Sequence, residues 1–254
     1  MDVVDLRDYY ATPLGQRTQR FLSLAIARHL ADGADLRIAG LGFAAPYLAR
    51  YRAHAERVSA LMPARQGVVN WPSGGPNAAA LVDETCLPLP DAMLDRVVMV
   101  HALELSDRPL ELLRETWRVL APGGRLIVVV PNRVGVWARL DRTPFGHGRP
   151  YSRGQLQRLM REALFSPSGW SEALYFWPAQ GRLVLQIAPF FERFGHGVAA
   201  MLGGVLIVEA VKQLYEGLPA RSRSGERVLR PVLVPTAAAR VRGARVANRV
   251  SDPS

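Results

Sequence analysis

Short apolar runs alternate with amphipathic stretches along most of the chain, from about residue 20 to residue 214. The apolar runs are typical of strands that are buried on both faces of a sheet. Between the runs, apolar positions such as Leu110, Leu113 and Trp117 recur at helical spacing. This alternation predicts a mostly parallel sheet that is covered by helices on both faces.

The same pattern locates the individual elements. We expect strands at residues 36–39, 58–61, 79–82, 95–101, 125–130, 173–176 and 205–211. We expect helices at residues 22–30, 46–52, 109–120, 152–163 and 183–201. The helix at residues 109–120 should have Asp107 near its cap and should end at residues 122–124. The helix at residues 152–163 should begin with a capping box formed by Ser152 and Gln155. Right-handed crossovers then favour a doubly wound sheet, whose ligands bind beyond the carboxyl ends of its strands.

Composition limits the class of protein. Hydrophobic residues make up 49% and charged residues 21% of 254 residues, which excludes a disordered chain or a disulfide miniprotein. No apolar run reaches the roughly 18 residues that a membrane span needs. The acidic start lacks the apolar region of a secretory signal, and the single Cys86 fits a reducing compartment, so we expect a cytoplasmic protein.

The net charge of +10 is unevenly distributed, because residues 219–254 contain eight arginines and only two acidic residues. We therefore expect a folded domain at residues 1–218 and a flexible, arginine-rich tail at residues 219–254. The tail is either solvated without a function or a contact for RNA or another anionic surface. It lacks interleaved aromatic residues for stacking on bases.

Two segments at predicted strand ends are candidates for ligand binding. The turn from Gly40 to Ala44 contains two glycines, which allow a close approach of the backbone to a ligand or simply form a tight strand-to-helix turn. Asp83 and Glu84 follow the third predicted strand. Their carboxylates either accept hydrogen bonds from a ligand or form a solvated acidic turn.

Histidine and tyrosine residues are the other candidates. His101 ends a predicted strand and is either a general base or a histidine satisfied by local hydrogen bonds. His147 lies in a glycine-rich loop that is either a lid or a connector. Tyr9 and Tyr10 belong to an N-terminal arm that either folds over a nucleoside or packs ordinarily. The spacing of the histidines predicts no zinc site, and neither a nucleophile elbow nor a Walker A sequence occurs.

One long block resembles a known family. Residues 83–98, 101–104 and 113–127 resemble the class I S-adenosylmethionine-dependent methyltransferases, and most closely their type 11 subgroup. Residues 150–156 look like the segment that leads from the lid to a helix in the same subgroup. The resemblance implies a Rossmann-like, doubly wound, seven-stranded sheet whose last strand is antiparallel, and S-adenosylmethionine as the cofactor.

The resemblance also implies roles for particular residues. It places the methionine part of the cofactor at the glycine turn, the adenine near the two carboxylates and the sulfonium beside His101. The implied cofactor-binding residues are Gly40, Leu41, Gly42, Ala44, Met62, Asp83, Glu84 and His101. His101 and His147 are the candidates for a base, which is needed only if the methyl acceptor must lose a proton early.

Two departures from the family pattern leave a choice of functions. Ala39 stands where an acidic residue is usual, and no acidic residue follows Leu61 to hold the ribose hydroxyls. Loss of the contact with the ribose corresponds to a roughly tenfold to hundredfold lower affinity for the cofactor. The chain is therefore either a methyltransferase or an inactive binding or scaffold module. As the acceptor of a methyltransferase we favour a small molecule or a lipid, whereas a nucleic-acid acceptor would suit the arginine-rich tail. Methyl transfer requires an open hollow at residues 38–46, which Phe43, Met62 or another side chain must not fill.

Overall fold

The computed structural model describes residues 1–30, 33–178 and 203–213, and seven strands within them form one sheet. The strand order is β3-β2-β1-β4-β5-β7-β6. The strands are β1 (Arg37–Gly42), β2 (Arg57–Pro63), β3 (Ala79–Val82), β4 (Leu94–Val100), β5 (Leu120–Pro131), β6 (Phe165–Ala173) and β7 (Val205–Lys212). Strands β1 to β5 pair in parallel, and β7 is antiparallel to both of its neighbours. The predicted Rossmann-like sheet with its last strand antiparallel is confirmed.

Helices cover both faces of the sheet. They are α1 (Val3–Ala11), α2 (Pro13–Leu30), α3 (Ala45–Leu48), α4 (Pro109–Val119) and α5 (Arg153–Glu162). Buried side chains of α1, α2 and α3 share one core cluster, and those of α4 and α5 share the other. None of these helices combines the length and the apolar character that crossing a membrane requires.

The strand order creates a crevice at one place. The chain runs from β1 outward to β2 and β3 and then returns to β4 on the other side of β1. The carboxyl ends of β1 and β4 therefore flank a topological switch point, which is where ligands bind in sheets of this kind. Gly42 ends β1 at this point, and His101 follows β4.

Two local predictions are wrong. The sixth strand is β6 rather than residues 173–176, because β6 lies at the edge of the sheet and has a polar sequence without an apolar run. Residues 122–124 do not end α4, since they belong to the start of β5. Asp107 does lie near the cap of α4, directly before the N-cap Arg108, and its carboxylate pairs with Arg65. The helix predicted at residues 183–201 and the tail at residues 219–254 lie outside the described residues, so that their structure stays a prediction.

An ion pair joins the beginnings of β1 and β4. The Arg37 guanidinium donates from Nε to Oδ2 of Asp95 and from Nη2 to Oδ1, both at 2.9 Å, and the Arg37 backbone N–H donates to Oδ2 at the same distance. The hydrogen bonds from Arg37 hold the pKa of the Asp95 carboxyl below its usual range. This pair fixes the register of the two strands that position the crevice.

We predict that Asp95→Asn lowers the free energy of unfolding by about 1–2 kcal/mol at pH 7. Because the folded-state pKa of Asp95 is depressed, its contribution is present above the unfolded-state pKa of about 3.9 and is lost as the pH falls through the folded-state pKa. Urea unfolding at several pH values measures both effects. Asp8→Asn is the matched control, since Asp8 pairs with Arg7 at the exposed surface and should change stability by less than about 0.5 kcal/mol. Equal effects of the two substitutions would contradict the prediction.

Candidate functional site

The glycine turn after β1 packs against the end of β4. Gly42 has a φ of +79°, and a methyl group there would collide with the carbonyl oxygen of Val100. Phe43 donates its backbone N–H to the same carbonyl at 2.8 Å. Gly42 is therefore required by a backbone conformation and a close approach that any larger residue would prevent.

The predicted hollow above this turn is filled by side chains. The ring of Tyr10, from α1, lies nearly parallel to the ring of Phe43, with 5.4 Å between the ring centroids and 13° between the planes. Both residues are only 6% exposed. A methyl group on Gly40 would meet Leu48 at 2.6 Å and Ala44 at 2.7 Å, so that the chain itself occupies that side of the turn. With α1 docked in this way, the space at residues 38–46 is filled by side chains, and the expectation of an open hollow there is wrong.

Four buried side chains form a chain of hydrogen bonds across the crevice. The Tyr47 hydroxyl donates to the Tyr10 hydroxyl at 2.8 Å, and the Tyr10 hydroxyl lies 2.9 Å from Nε2 of His101. Nδ1 of His101 lies 3.1 Å from Oε1 of Glu104. Every donor has an acceptor if Tyr10 donates to Nε2 and Nδ1 carries the ring proton that Glu104 accepts. In this tautomer, Nε2 of His101 is a hydrogen-bond acceptor facing the space that the Tyr10 ring occupies.

Burial keeps the two tyrosines of this chain protonated. Desolvation raises the pKa of Tyr10 and the pKa of Tyr47 well above the ordinary value for a phenol. His101 has a φ of +52°, an uncommon conformation for a residue other than glycine, and Phe145 packs on its ring at 4.8 Å. The histidine is therefore satisfied by hydrogen bonds, as one of the two sequence interpretations holds, while it also lies at the switch point.

Helix α1 is tied to the crevice by more than Tyr10. Val3 and Leu6 are buried with Tyr10, and the backbone N–H of Val3 donates to the backbone oxygen of Gln66 at 2.7 Å. The buried side-chain amide of Gln66 in turn donates to the backbone oxygen of His101. The N-terminal arm, for which the sequence pattern predicted no helix, thus folds into the crevice as a helix.

An open groove lies beside the filled crevice. It has a volume of about 240 Å³ and is lined by residues that follow β2 and β3, including Pro63, Asp83 and Glu84. Asp83 accepts from the backbone N–H and the hydroxyl of Thr85, and the backbone bond is the main reason why its pKa lies below the usual range. Glu84 accepts from the Ser106 hydroxyl at 2.6 Å. The two carboxylates therefore remain near each other at a strand end, as predicted.

The other predicted residues have packing partners of their own. Leu41 is buried in the core on the opposite face of the sheet, and Met62 is buried on the face that carries Tyr10, with its sulfur accepting from Val69. Nε2 of His147 lies 2.9 Å from the backbone oxygen of Asp141 on its own loop. His147 is thus held by its loop, and it is Phe145 that contacts His101.

Comparison with known proteins identifies the domain. Residues 25–128 match the family model described as a methyltransferase domain, type 11. These residues include β1 to β4 and the segments that bear Gly42, Asp83 and His101. Residues 25–128 are therefore similar to the methyltransferase domains of the type 11 family. S-adenosylmethionine is the cofactor that this family implies. The helix α1 precedes the matched residues.

Two kinds of relatives support the domain and its fold. A probable S-adenosylmethionine-dependent methyltransferase of Mycolicibacterium smegmatis is 37% identical over 81 residues, which are 31% of this chain and 31% of that protein. A SAM-dependent methyltransferase structure from Thermotoga maritima matches with a TM-score of 0.52 at 18% identity, covering 83% of this chain and 96% of that chain. The [4+2]-cyclase SpnF matches with a TM-score of 0.54 at 24% identity, covering 79% and 83%.

The methyltransferase domain offers different chemistry to the two ends of the cofactor. The open groove at Asp83 and Glu84 provides carboxylates that accept hydrogen bonds from amino and hydroxyl groups, which fits a nucleoside. Tyr10 and Phe43 fill the space above the turn, which is where the resemblance places the methionine end. The end of β2 supplies Met62 and Pro63 and no carboxylate for the ribose.

Sequence reasoning missed three residues that complete the crevice: Tyr47, Gln66 and Glu104. The spacing of Glu104 three residues after His101 is the one sequence signal that could have indicated a paired histidine. Tyr47 and Gln66 gave no such signal, because their contacts depend on where α1 packs.

We predict that Tyr10→Phe lowers the free energy of unfolding by about 1–3 kcal/mol, because it leaves Nε2 of His101 and the Tyr47 hydroxyl buried without their partner. Tyr9→Phe is the matched control. Among the described residues the Tyr9 hydroxyl bonds only to Thr18, which also donates to a backbone oxygen, and its loss should cost about 0.5–1 kcal/mol. Urea unfolding of the three proteins measures the difference. A Tyr10→Phe protein as stable as Tyr9→Phe would refute the buried hydrogen-bond chain.

Proposed function

We propose that the chain is an S-adenosylmethionine-dependent methyltransferase whose crevice is closed by α1 and opens when the cofactor binds. The observation that carries this proposal is the origin of the closure. The side chain that fills the crevice belongs to a terminal helix outside the sheet, whereas the type 11 scaffold beneath it is complete from β1 to β4.

The energetics of α1 support an opening. Only three side chains of α1, those of Val3, Leu6 and Tyr10, are buried, and a few hydrogen bonds tie the helix to the rest of the domain. A ligand with affinity for the open crevice can therefore shift the docking equilibrium of α1.

The fold of the domain is established, whereas its activity is a proposal that depends on the groups around the crevice. The groove at Asp83 and Glu84 supports nucleoside binding, and His101, whose Nε2 faces the crevice, supports a role next to the transferred group. The chain's own contribution would be to align the two reactants and exclude water, and positioning of this kind can lower a barrier by several kcal/mol. We propose a small-molecule acceptor, because the filled space has the dimensions of one aromatic side chain.

A second candidate is an inactive binding or scaffold module of the same fold. It is favoured by the absence of a carboxylate at Met62 and Pro63 and by the complete burial of His101. One fold can carry many different functions. The similarity to a [4+2]-cyclase therefore supports the fold of this chain and not a particular activity. Binding of the cofactor distinguishes the two candidates.

We predict that S-adenosylmethionine raises the midpoint of thermal unfolding of the full chain, and that Tyr10→Ala binds it at least about tenfold more tightly than the unchanged protein. The affinity increases because the competing side chain is removed and the open form becomes more populated. At 100 times Kd, the ligand adds about 2.7 kcal/mol, which corresponds to roughly 5–10 °C for a protein of this size.

Tyr9→Ala is the matched control for this measurement. It removes a tyrosine from the same helix that packs toward α2, so it weakens helix packing without emptying the crevice. Its affinity should increase less than that of Tyr10→Ala. No thermal shift at millimolar S-adenosylmethionine in the unchanged protein and in Tyr10→Ala would contradict methyl transfer and establish the inactive module.

A further inference from the structure

We propose that the edge of the sheet carries a second active site, in which Ser171, His29 and Glu209 form a serine–histidine–glutamate triad that cleaves small carboxylic esters. The three residues belong to β6, α2 and β7. Strands β5 and β7 separate β6 from β4, so this site lies apart from the crevice that β1 and β4 flank. The proposed ester cleavage needs no cofactor and is therefore independent of the proposed methyl transfer.

The three side chains meet in one line of hydrogen bonds. Oγ of Ser171 lies 2.8 Å from Nε2 of His29, and Nδ1 of the same ring lies 3.2 Å from Oε2 of Glu209. Every donor has an acceptor if Nδ1 carries the ring proton and Glu209 accepts it, which leaves Nε2 to accept from the serine hydroxyl. A nucleophile, a base and a carboxylate that orients the base are thus in contact in the order that ester cleavage requires.

The sheet aligns the two outer members of the triad. Strand β6 pairs with β7 so that Gly169 lies opposite Glu209, and Ser171 stands two positions further along β6. Because alternate residues of a strand point to the same face, the side chains of Ser171 and Glu209 share the face that α2 covers. The His29 ring lies over Gly169, with Nδ1 3.5 Å from the position of an added Cβ. Helix α2 therefore places the base between the nucleophile and the carboxylate.

Glu209 is the positioning residue of the triad. Its side chain is 10% exposed, and its Oε1 accepts from the Arg125 guanidinium. Although burial opposes ionisation, the hydrogen bonds from Arg125 and His29 hold the pKa of the Glu209 carboxyl below its usual range. The charged carboxylate keeps the ring proton on Nδ1 and stabilises the positive ring that forms when Nε2 takes the serine proton.

A groove gives a small ester access to the serine. It has a volume of about 340 Å³, and its lining includes Ser171, Trp170, Leu206, Arg28 and Arg153. Ser171 is partly exposed, and the Arg153 guanidinium packs over the Trp170 ring at 4.8 Å. The two arginines bring positive charge to the groove in which a carbonyl oxygen would become negative during attack, and stabilisation of that charge is a large part of acyl transfer.

The cleavage balances with these groups and water. Oγ of Ser171 bonds to the carbonyl carbon of the ester, and the serine proton passes to Nε2 of His29. When the bond from that carbon to the alcohol oxygen breaks, the alcohol oxygen keeps the electron pair and takes the proton from Nε2. Water then attacks the acyl-serine in the same way, which releases the acid and restores the serine hydroxyl.

Diisopropyl fluorophosphate tests the nucleophile in the full chain without added cofactor. Attack by the serine oxygen forms an oxygen–phosphorus bond and displaces fluoride, and mass spectrometry of the peptides identifies the labelled residue. We expect the label on Ser171, and labelling at least about a hundredfold slower in His29→Gln. Ser168→Ala removes another hydroxyl from the same strand and is the matched control, with an unchanged labelling rate.

Hydrolysis of p-nitrophenyl acetate tests turnover and the role of Glu209. Ser171→Ala should lower kcat/KM at least about a hundredfold. Glu209→Gln keeps the size of the side chain and removes its charge, and it should lower kcat at least about tenfold. Glu209→Asp shortens the side chain and keeps the charge, so it should retain more activity than Glu209→Gln. A merely structural glutamate would give the opposite order, because the glutamine variant preserves the packing better.

A cysteine in place of the nucleophile keeps the test decisive if Ser171→Ala does not fold. Ser171→Cys retains a hydrogen-bonding group beside His29, which should activate the thiol for alkylation by iodoacetamide. We expect residue 171 to react at least about tenfold faster than Cys86, the exposed cysteine of the same chain. His29→Gln in this background should remove the difference.

The outcomes decide the triad and leave the methyltransferase proposal untouched. Absence of label from Ser171, labelling that His29→Gln does not slow, or ester hydrolysis that survives Ser171→Ala would each overturn the second active site. Labelling of Ser171 that depends on His29, together with hydrolysis that depends on both residues, supports it. Binding of S-adenosylmethionine is measured separately and tests the proposed function alone.

Discussion

The hydrogen bond between the Tyr10 hydroxyl and His101 determines the state of the crevice. Buried polar groups need partners, and His101 is fully buried at the carboxyl end of β4. While α1 is docked, Tyr10 supplies that partner and its ring fills the space above the glycine turn. In the open form that we propose, Nε2 of His101 needs water or a ligand as its new hydrogen-bond partner.

Much of the fold was predictable because the apolar pattern of a parallel sheet is strong. Strands β1 to β5 and the capping box at Ser152 follow directly from that pattern. Strand β6 was misplaced because an edge strand with a polar sequence lacks the signal. Helix α1 was missed although its buried residues Val3, Leu6 and Tyr10 recur at helical spacing, because it is only nine residues long and its packing depends on contacts with Gln66 and His101 that are remote in sequence.

The position of the candidate site was predictable from the sequence, whereas its closure by Tyr10 was not. Glycines, carboxylates and a histidine at strand ends located the switch point, because the ends of parallel strands converge there. The sequence could not show that Tyr10 fills the crevice, since tyrosine in a terminal arm is equally compatible with a lid and with core packing. It could not show the role of Glu104 either, which follows from the conformation of His101 after β4.

The fold and the function rest on different evidence. The seven-stranded sheet and the domain match show a Rossmann-like methyltransferase fold, whereas catalysis depends on whether the crevice admits a nucleoside sulfonium. A missing carboxylate after β2 weakens such binding without excluding it, because that contact is worth about 1.5–3 kcal/mol. The docking of α1 is the larger constraint on the proposed activity, since Tyr10 fills the space that the resemblance assigns to the methionine end.

Hydrogen–deuterium exchange of the full chain, with and without saturating S-adenosylmethionine, tests this account most directly. We predict that the amides of α1 (Val3–Ala11) exchange faster when the cofactor is bound, while those of β1 and β4 become more protected. Cofactor binding that leaves α1 fully protected would show that the crevice is not the cofactor site, and the account would be wrong.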